Sequence, residues 1–151
     1  MQARDIMISP VYKVKEYDTV RAVIEKFIDH RISGLPVIND RNEIKGYVSD
    51  GDIMRYIGKH DDMIISSLTF TAVVKGDEEA YDERVRKLMK VNVMEIGKKK
   101  PVTVPWDEEV ENIAAILGRK QIKKVPVERN GVLVGIISRG DIIRHSFKYF
   151  M

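Results

Sequence analysis

The chain has 151 residues, of which 44% are hydrophobic, with a formal net charge of +3 and no cysteine. That size suits one ordinary core shared by two small units, with no room for a separate catalytic domain, and the lack of cysteine excludes disulfides, thiolate metal sites and a cysteine nucleophile. No apolar run nears the roughly 20 residues of a membrane span, and the stretch around Arg4 and Asp5 lacks a signal-peptide core, so a cytoplasmic protein is expected.

In chain order, Pro10 precedes a short apolar strand predicted at residues 11–14. Val20, Val23, Ile24, Phe27 and Ile28 then recur at i, i+3, i+4, i+7 and i+8, the spacing of an amphipathic helix. The apolar run Ile32-Ser33-Gly34-Leu35-Pro36-Val37 and the turn formers Asn39-Asp40-Arg41-Asn42-Glu43 predict strand and turn. A second strand runs into Gly46-Tyr47-Val48-Ser49-Asp50-Gly51-Asp52, where Asp52-Ile53-Met54-Arg55 opens a second helix.

Residues 58–92 exceed a simple linker. The apolar stretch of Ile64, Ile65, Leu68, Phe70, Ala72, Val73 and Val74 is expected as a helix passing into a strand, and residues 79–90 as a helix with Val85, Leu88 and Met89 on one side. Extra helical packing on the core is the favoured reading, with a partner-contacting or effector-reporting element as the alternative.

The pattern then starts again. Pro101 leads into a strand at residues 102–104, Val110, Ile113, Ala114 and Leu117 mark a helix, and Ile122-Lys123-Lys124-Val125-Pro126-Val127 precedes the turn Glu128-Arg129-Asn130-Gly131. Gly135-Ile136-Ile137-Ser138-Arg139-Gly140-Asp141-Ile142-Ile143-Arg144 repeats the segment that began at Gly46. The chain is therefore read as an internal duplication, an α/β (α+β) fold with two β-α-β-β-α units at 1–57 and 93–151 flanking the segment 58–92.

The Ser-x-x-Asp of each copy sits at a strand-to-helix junction. Ser49 with Asp52, and Ser138 with Asp141, have the spacing of a capping box, which satisfies orphan helix N–H groups without any ligand. The same geometry suits a nucleoside, since a helix N-terminus offers N–H donors and an Asp carboxylate can accept both ribose hydroxyls.

These two glycine-to-aspartate motifs, each preceded by helix, apolar-Pro-Val strand and turn, make the chain resemble the cystathionine β-synthase (CBS) domain pair over nearly its whole length. The resemblance implies two repeats packed with pseudo-two-fold symmetry, a disc-like homodimer and a regulatory role without catalysis. It implies further that Asp52 and Asp141 grip ribose, that Ser49 and Ser138 support it, and that the backbone around Ile8, Ser9 and Val11 and around Lys100, Val102 and Thr103 holds the base, with Pro36 and Pro126 on the adjoining strands. No resident cofactor is implied; an adenine nucleotide or S-adenosylmethionine would be a regulatory ligand, and an effector protein would read its binding.

The copies differ in ways that bear on selectivity. Where γ subunits of AMP-activated protein kinase, which carry the same module, have His-Arg before the Leu-Pro-Val strand to hold phosphates, this chain has Ser33-Gly34 and Lys123-Lys124. Asp50 in the first junction answers to Arg139 in the second. Lys124 and Arg139 would donate charge-assisted hydrogen bonds to a phosphate, so the Asp141 cleft is expected to take the nucleotide. The Asp52 cleft is left for an uncharged or cationic adenosyl compound, or empty. Arg55 and Arg144 are further phosphate candidates, and a lysine of one copy can reach the other copy's cleft.

Other classes find less support. Lys98-Lys99-Lys100 and Lys123-Lys124 lack interleaved aromatics, so they read as solvated surface and nucleic acid is not expected. His30, His60 and His145 have no metal-ligand spacing. No nucleophile with a base, Gly-rich phosphate loop or paired catalytic carboxylates stand out. Trp106 is expected as a packing anchor, with stacking on adenine as the alternative. A purely structural, protein-interaction module remains the second function class.

Overall fold

The computed structural model describes residues 1–61, 63–76, 80–120 and 122–151. The first copy contains β1 (Val14–Lys15), α2 (Val20–His30), β2 (Gly34–Ile38), β3 (Ile44–Ser49) and α3 (Asp50–Ile57), preceded by a one-turn helix α1 (Ala3–Ile6). The second contains β6 (Val104–Pro105), α6 (Val110–Arg119), β7 (Lys124–Arg129), β8 (Val132–Ser138) and α7 (Arg139–Phe147), preceded by a one-turn helix α5 (Val93–Ile96). Each copy forms a three-stranded sheet in which β1 or β6 runs parallel to the middle strand and β3 or β8 runs antiparallel to it. The first strand of each copy is shorter than the sequence suggests and starts later, with Val14 and Val104 as its buried residues.

The helical faces are those the periodicity picks out. Val20 and Val23 of α2, and Val110, Ile113 and Leu117 of α6, are buried, each fully buried aliphatic side chain contributing about 1.5–3 kcal/mol by leaving water. Two residues depart from the pattern: Ile28 of α2, 71% exposed, and Ala114 of α6, which is also exposed.

The two cores are not built from their own copies alone. Ala3 and Ile6 of α1 pack into the second copy's core with Val104, Ile113, Val125 and Ile137, and Val93 of α5 packs into the first copy's core with Val20, Leu35, Val37 and Val48. The segment after each short helix pairs across as well, Ile8 bridging Ile136 and Lys98 bridging Tyr47. Hence the glycine that opens each repeated motif: a Cβ on Gly46 would lie 2.8 Å from the Lys98 backbone oxygen, and one on Gly135 would meet Met7 within 2.8 Å. The sheet hairpins also meet, Ile44 donating its N–H to Gly131 O (3.1 Å) and Leu133 to Asn42 O (2.9 Å).

The inter-repeat segment differs from expectation. Instead of a helix passing into a strand, its apolar stretch is an antiparallel hairpin of β4 (Met63–Ser66) and β5 (Thr71–Val74). Ser67 shapes the turn, its hydroxyl accepting the N–H of Thr69 and of Phe70 at 3.2 Å. The helix expected over 79–90 is α4 (Tyr81–Leu88), with Leu88 in the first copy's core; Glu79 lies outside the described residues. Arg84 of α4 is 7% exposed and donates through Nε to Ile57 O at 3.2 Å, holding α4 to the end of α3. Among the described residues no helix is long and apolar enough to cross a membrane.

Candidate functional site

Both strand-to-helix junctions close as capping boxes. Ser49 is the N-cap of α3 and Ser138 of α7, with Asp52 and Asp141 at the third helical position. Asp52 Oδ2 accepts the Ser49 N–H (2.9 Å) and hydroxyl (3.2 Å), while Oδ1 accepts Arg55 Nη2. Asp141 repeats this with Ser138 (2.8 and 2.9 Å) and Arg144 (2.7 Å). Both carboxylates are buried, at 6% and 4% exposure. A carboxylate offers about four lone-pair sites, so three acceptances leave room for one more donor, and Arg55 and Arg144, both largely exposed, can turn away to leave a second.

Burial pushes the Asp141 carboxyl up, but the hydrogen bonds from the Ser138 backbone and hydroxyl and from Arg144 outweigh it, and its pKa lies below the ordinary value. A carboxyl depressed on folding stabilises the fold above its unfolded pKa of about 3.9 and loses that contribution as pH falls through the folded value. Stability should therefore fall on acidification below about pH 4, and Asp141→Asn should flatten that fall, read from urea midpoints against pH.

A cavity of about 420 Å³ opens at the first junction, within the range of small-molecule sites, roughly 300–1,000 Å³. The first copy supplies Ser33, Tyr47, Ser49, Asp50, Asp52 and Arg55. The second supplies Lys98, Pro101, Val102, Lys120, Ile122, Lys123, Lys124 and Pro126. The exchange of α5 brings the 98–102 segment to the first junction, and the beginning of β7 comes across from the other sheet. Burial, with Asp50 and Asp52 nearby, pushes the Tyr47 phenol well above its usual pKa. The wall therefore presents a neutral hydroxyl.

The lysines thus fall on the other side of the interface from the sequence-based expectation. The expectation at the Asp141 cleft pairs Lys124 with Arg139, yet Lys123 and Lys124 line the cavity that holds Asp52, the reach from one copy into the other copy's cleft that the sequence also allows. Lys123 Nζ lies 3.5 Å from Asp50 Oδ2, an ion pair between the copies. Arg139 is not a free phosphate ligand: its Nε donates to Ile122 O and its Nη2 to Leu117 O, both at 2.9 Å. The cavity carries Arg55, Lys98, Lys120, Lys123 and Lys124 against two carboxylates. Among the described residues no carboxylate is within ion-pair distance of Lys98, Lys120 or Lys124.

The other candidates divide between the two junctions. Ile8 exchanges both backbone hydrogen bonds with Ile136 (2.9 and 3.1 Å), and Ser9 Oγ donates to Val134 O, which places both residues on β8, the strand leading to Asp141. Pro36 and Pro126 occupy matching places in the middle strands, paired with Tyr47 and Ile136. Val11, Lys100 and Thr103 precede the first strands and are not among the residues of the cavity wall, which takes Pro101 and Val102 from that stretch. Sequence reasoning did not single out Tyr47, Lys98, Lys120 and Ile122 of that wall; their signal was their offset from equivalent residues across the pseudo-two-fold axis.

Trp106 is occupied on its ring by the guanidinium groups of Arg4 (4.5 Å) and Arg129 (4.2 Å) and packs on the second core. It anchors packing. Among the histidines, His30 stacks on Tyr12 with centroids 3.9 Å apart, and His60 Nε2 lies 2.7 Å from Arg55 O. Among the described residues no group of three or more His, Cys, Asp or Glu is placed to hold a metal ion.

Comparison with known proteins matches this architecture. The uncharacterized protein MJ1426 of Methanocaldococcus jannaschii is 29% identical over 153 aligned residues, covering 95% of this chain and 89% of that one. CBSX2 of Arabidopsis thaliana, solved in complex with AMP, superposes with a TM-score of 0.74 at 23% identity, over 99% of this chain and 98% of the other. The CBS domain pair of MJ0100, solved with 5′-methylthioadenosine and S-adenosyl-L-methionine, gives 0.69 at 19% identity, over 99% and 98%. The sequence profile of the CBS domain matches residues 3–59 and again 93–148, and with both halves matched the chain belongs to the CBS domain family.

Proposed function

We propose that this protein is a non-catalytic regulatory module that binds a phosphate-bearing adenosyl nucleotide in the cavity between its copies and signals occupancy to a partner protein. The observation that carries the reading is the composition of that one cavity: the buried Asp52 carboxylate at a helix N-terminus, facing lysines delivered by the other copy. Asp52 and Ser49 hold the ribose, Pro101 and Val102 flank the base, and Lys120, Lys123 and Lys124 meet the phosphates through charge-assisted hydrogen bonds. The surplus of cations supports an anionic ligand over a sulfonium such as S-adenosylmethionine. The bound AMP of CBSX2 supports the adenosyl class.

A ligand bridging both copies favours the arrangement in which the cavity walls stand at binding distance, and its differential affinity is what a partner can read. The module acts in the cytoplasm as a homodimer in this reading. The test is a thermal-unfolding panel of adenosine, AMP, ADP, ATP and S-adenosylmethionine, with turnover followed in parallel. Stabilisation by the phosphorylated members without turnover is expected. Indifference to all five would leave Ser49–Asp52 and Ser138–Asp141 as helix caps and the protein as an interaction module.

A further inference from the structure

Tyr47 and Ser49 of β3 are two residues apart, so their side chains project to one face of the sheet, and both line the cavity. Their partners across the strand pair are Pro36 and Gly34. Gly34 decides where the phenol goes: a Cβ there would overlap the Tyr47 hydroxyl oxygen and lie 3.0 Å from Cε1 and Cζ, so its absence lets the ring lie along β2 with the hydroxyl at the level of Ser49. The Tyr47 backbone exchanges hydrogen bonds with that of Lys98 (3.0 and 2.9 Å), which ties the segment carrying Pro101 and Val102 to the same strand. Among the described residues the hydroxyl has no hydrogen-bond partner, and a half-buried polar group without one calls for an explanation. Burial and the charges of Asp50 and Asp52 keep it protonated, so it can donate. At the second junction the equivalent residues are Ile136 and Lys124, and neither offers a neutral hydroxyl.

We propose that the Tyr47 hydroxyl donates to a ribose hydroxyl of the ligand and that, given the nucleotide reading above, Tyr47 and Asp52 together make the first junction selective for ribose over deoxyribose. An ionised carboxylate only accepts, so Asp52 takes the protons of the ribose hydroxyls and leaves their oxygens in want of a donor. The lysines meet the phosphates, and Pro101 and Val102 flank the base. Tyr47, tied at its backbone to the Pro101–Val102 segment and close enough to Asp52 for that charge to act on its phenol, stands where the sugar joins the two. A site that hydrogen-bonds a ligand hydroxyl rejects the analogue lacking it far more strongly than an apolar wall does.

The experiment is isothermal titration of wild type and Tyr47→Phe with ATP, 2′-deoxy-ATP and 3′-deoxy-ATP. Phenylalanine keeps the ring and removes a hydroxyl that holds no protein group, so the urea midpoint of the ligand-free variant should match that of wild type. Tyr47→Phe is expected to weaken ATP binding about fivefold, the worth of one neutral hydrogen bond, and to leave unchanged the deoxy analogue that lacks the contacted hydroxyl. Equal weakening for all three nucleotides, or none for ATP, would overturn the proposal while the nucleotide reading stood. A wild type that binds none of the three would overturn both.

Discussion

Asp52→Asn should remove at least half of the stabilisation that a saturating nucleotide confers, with only a small loss of stability in the free protein. A ligand at 100 times its dissociation constant adds about 2.7 kcal/mol. A charge-assisted hydrogen bond contributes about 1.5–3 kcal/mol, so its loss weakens binding by roughly 10- to 150-fold. At the same ligand concentration the residual stabilisation is then about 0.3–1.4 kcal/mol. The free protein loses less, because the amide still accepts the Ser49 N–H, and Arg55, whose side chain is 70% exposed, is left in water and not buried without a partner. That cost is about 1 kcal/mol, the usual worth of a helix cap.

Asp141→Asn is the internal control, since Asp141 makes the same cap and the same contact to an arginine three residues on. Differential scanning fluorimetry of both variants with and without ATP separates the roles. Equal losses in the free proteins with a ligand shift lost only in Asp52→Asn would place the ribose at the first junction. A shift lost only in Asp141→Asn would place it at the second. An undiminished shift in both would mean the carboxylates do no more than cap helices.

Much of the fold was legible because its signals are local. The duplication is visible as a repeated string, the capping boxes as Ser-x-x-Asp, and the second sheet hairpin as Asn130-Gly131, whose positive φ values of 54° and 82° are those of a tight two-residue turn. The α4 helix was read from Val85, Leu88 and Met89. The β4–β5 hairpin was not, because a short apolar run has no periodicity to separate strand from helix. Its signal was chemical: β-branched Ile64, Ile65, Thr71, Val73 and Val74 on either side of Ser67, a hydroxyl able to cap a turn.

The exchange of α1 and α5 left no local trace. Each is a four-residue helix, too short for an amphipathic pattern, and what determines its place is contact with residues far along the chain in the other copy. That exchange decides the site. Had Lys98 and Val102 stayed with the second junction, the first junction would have lost that part of its wall. With the segments crossed, charge from one copy serves the carboxylate of the other, and Asp50, which as a lone acid would repel phosphate, is offset by Lys123.

The lysines carry the second large effect. Lys123→Glu/Lys124→Glu should weaken ATP binding by on the order of 100-fold or more, since it removes two charge-assisted contacts worth about 1.5–3 kcal/mol each and sets a new carboxylate beside Asp50. Adenosine, which has no phosphate, should bind the variant within about threefold of wild type, because Asp52, Pro101 and Val102 are untouched. The fold should tolerate the change: the Lys123–Asp50 pair is 73% and 46% exposed, and pairs of that kind contribute about 0–1 kcal/mol. Isothermal titration at two ionic strengths provides the check, the wild-type preference for ATP over adenosine shrinking as salt screens the lysines and the variant showing little preference at either. A variant that lost adenosine and ATP alike would have lost the cavity; one that kept its preference for ATP would place the phosphates away from β7, toward Arg55 and Lys98, and the ligand would lie reversed in the cleft.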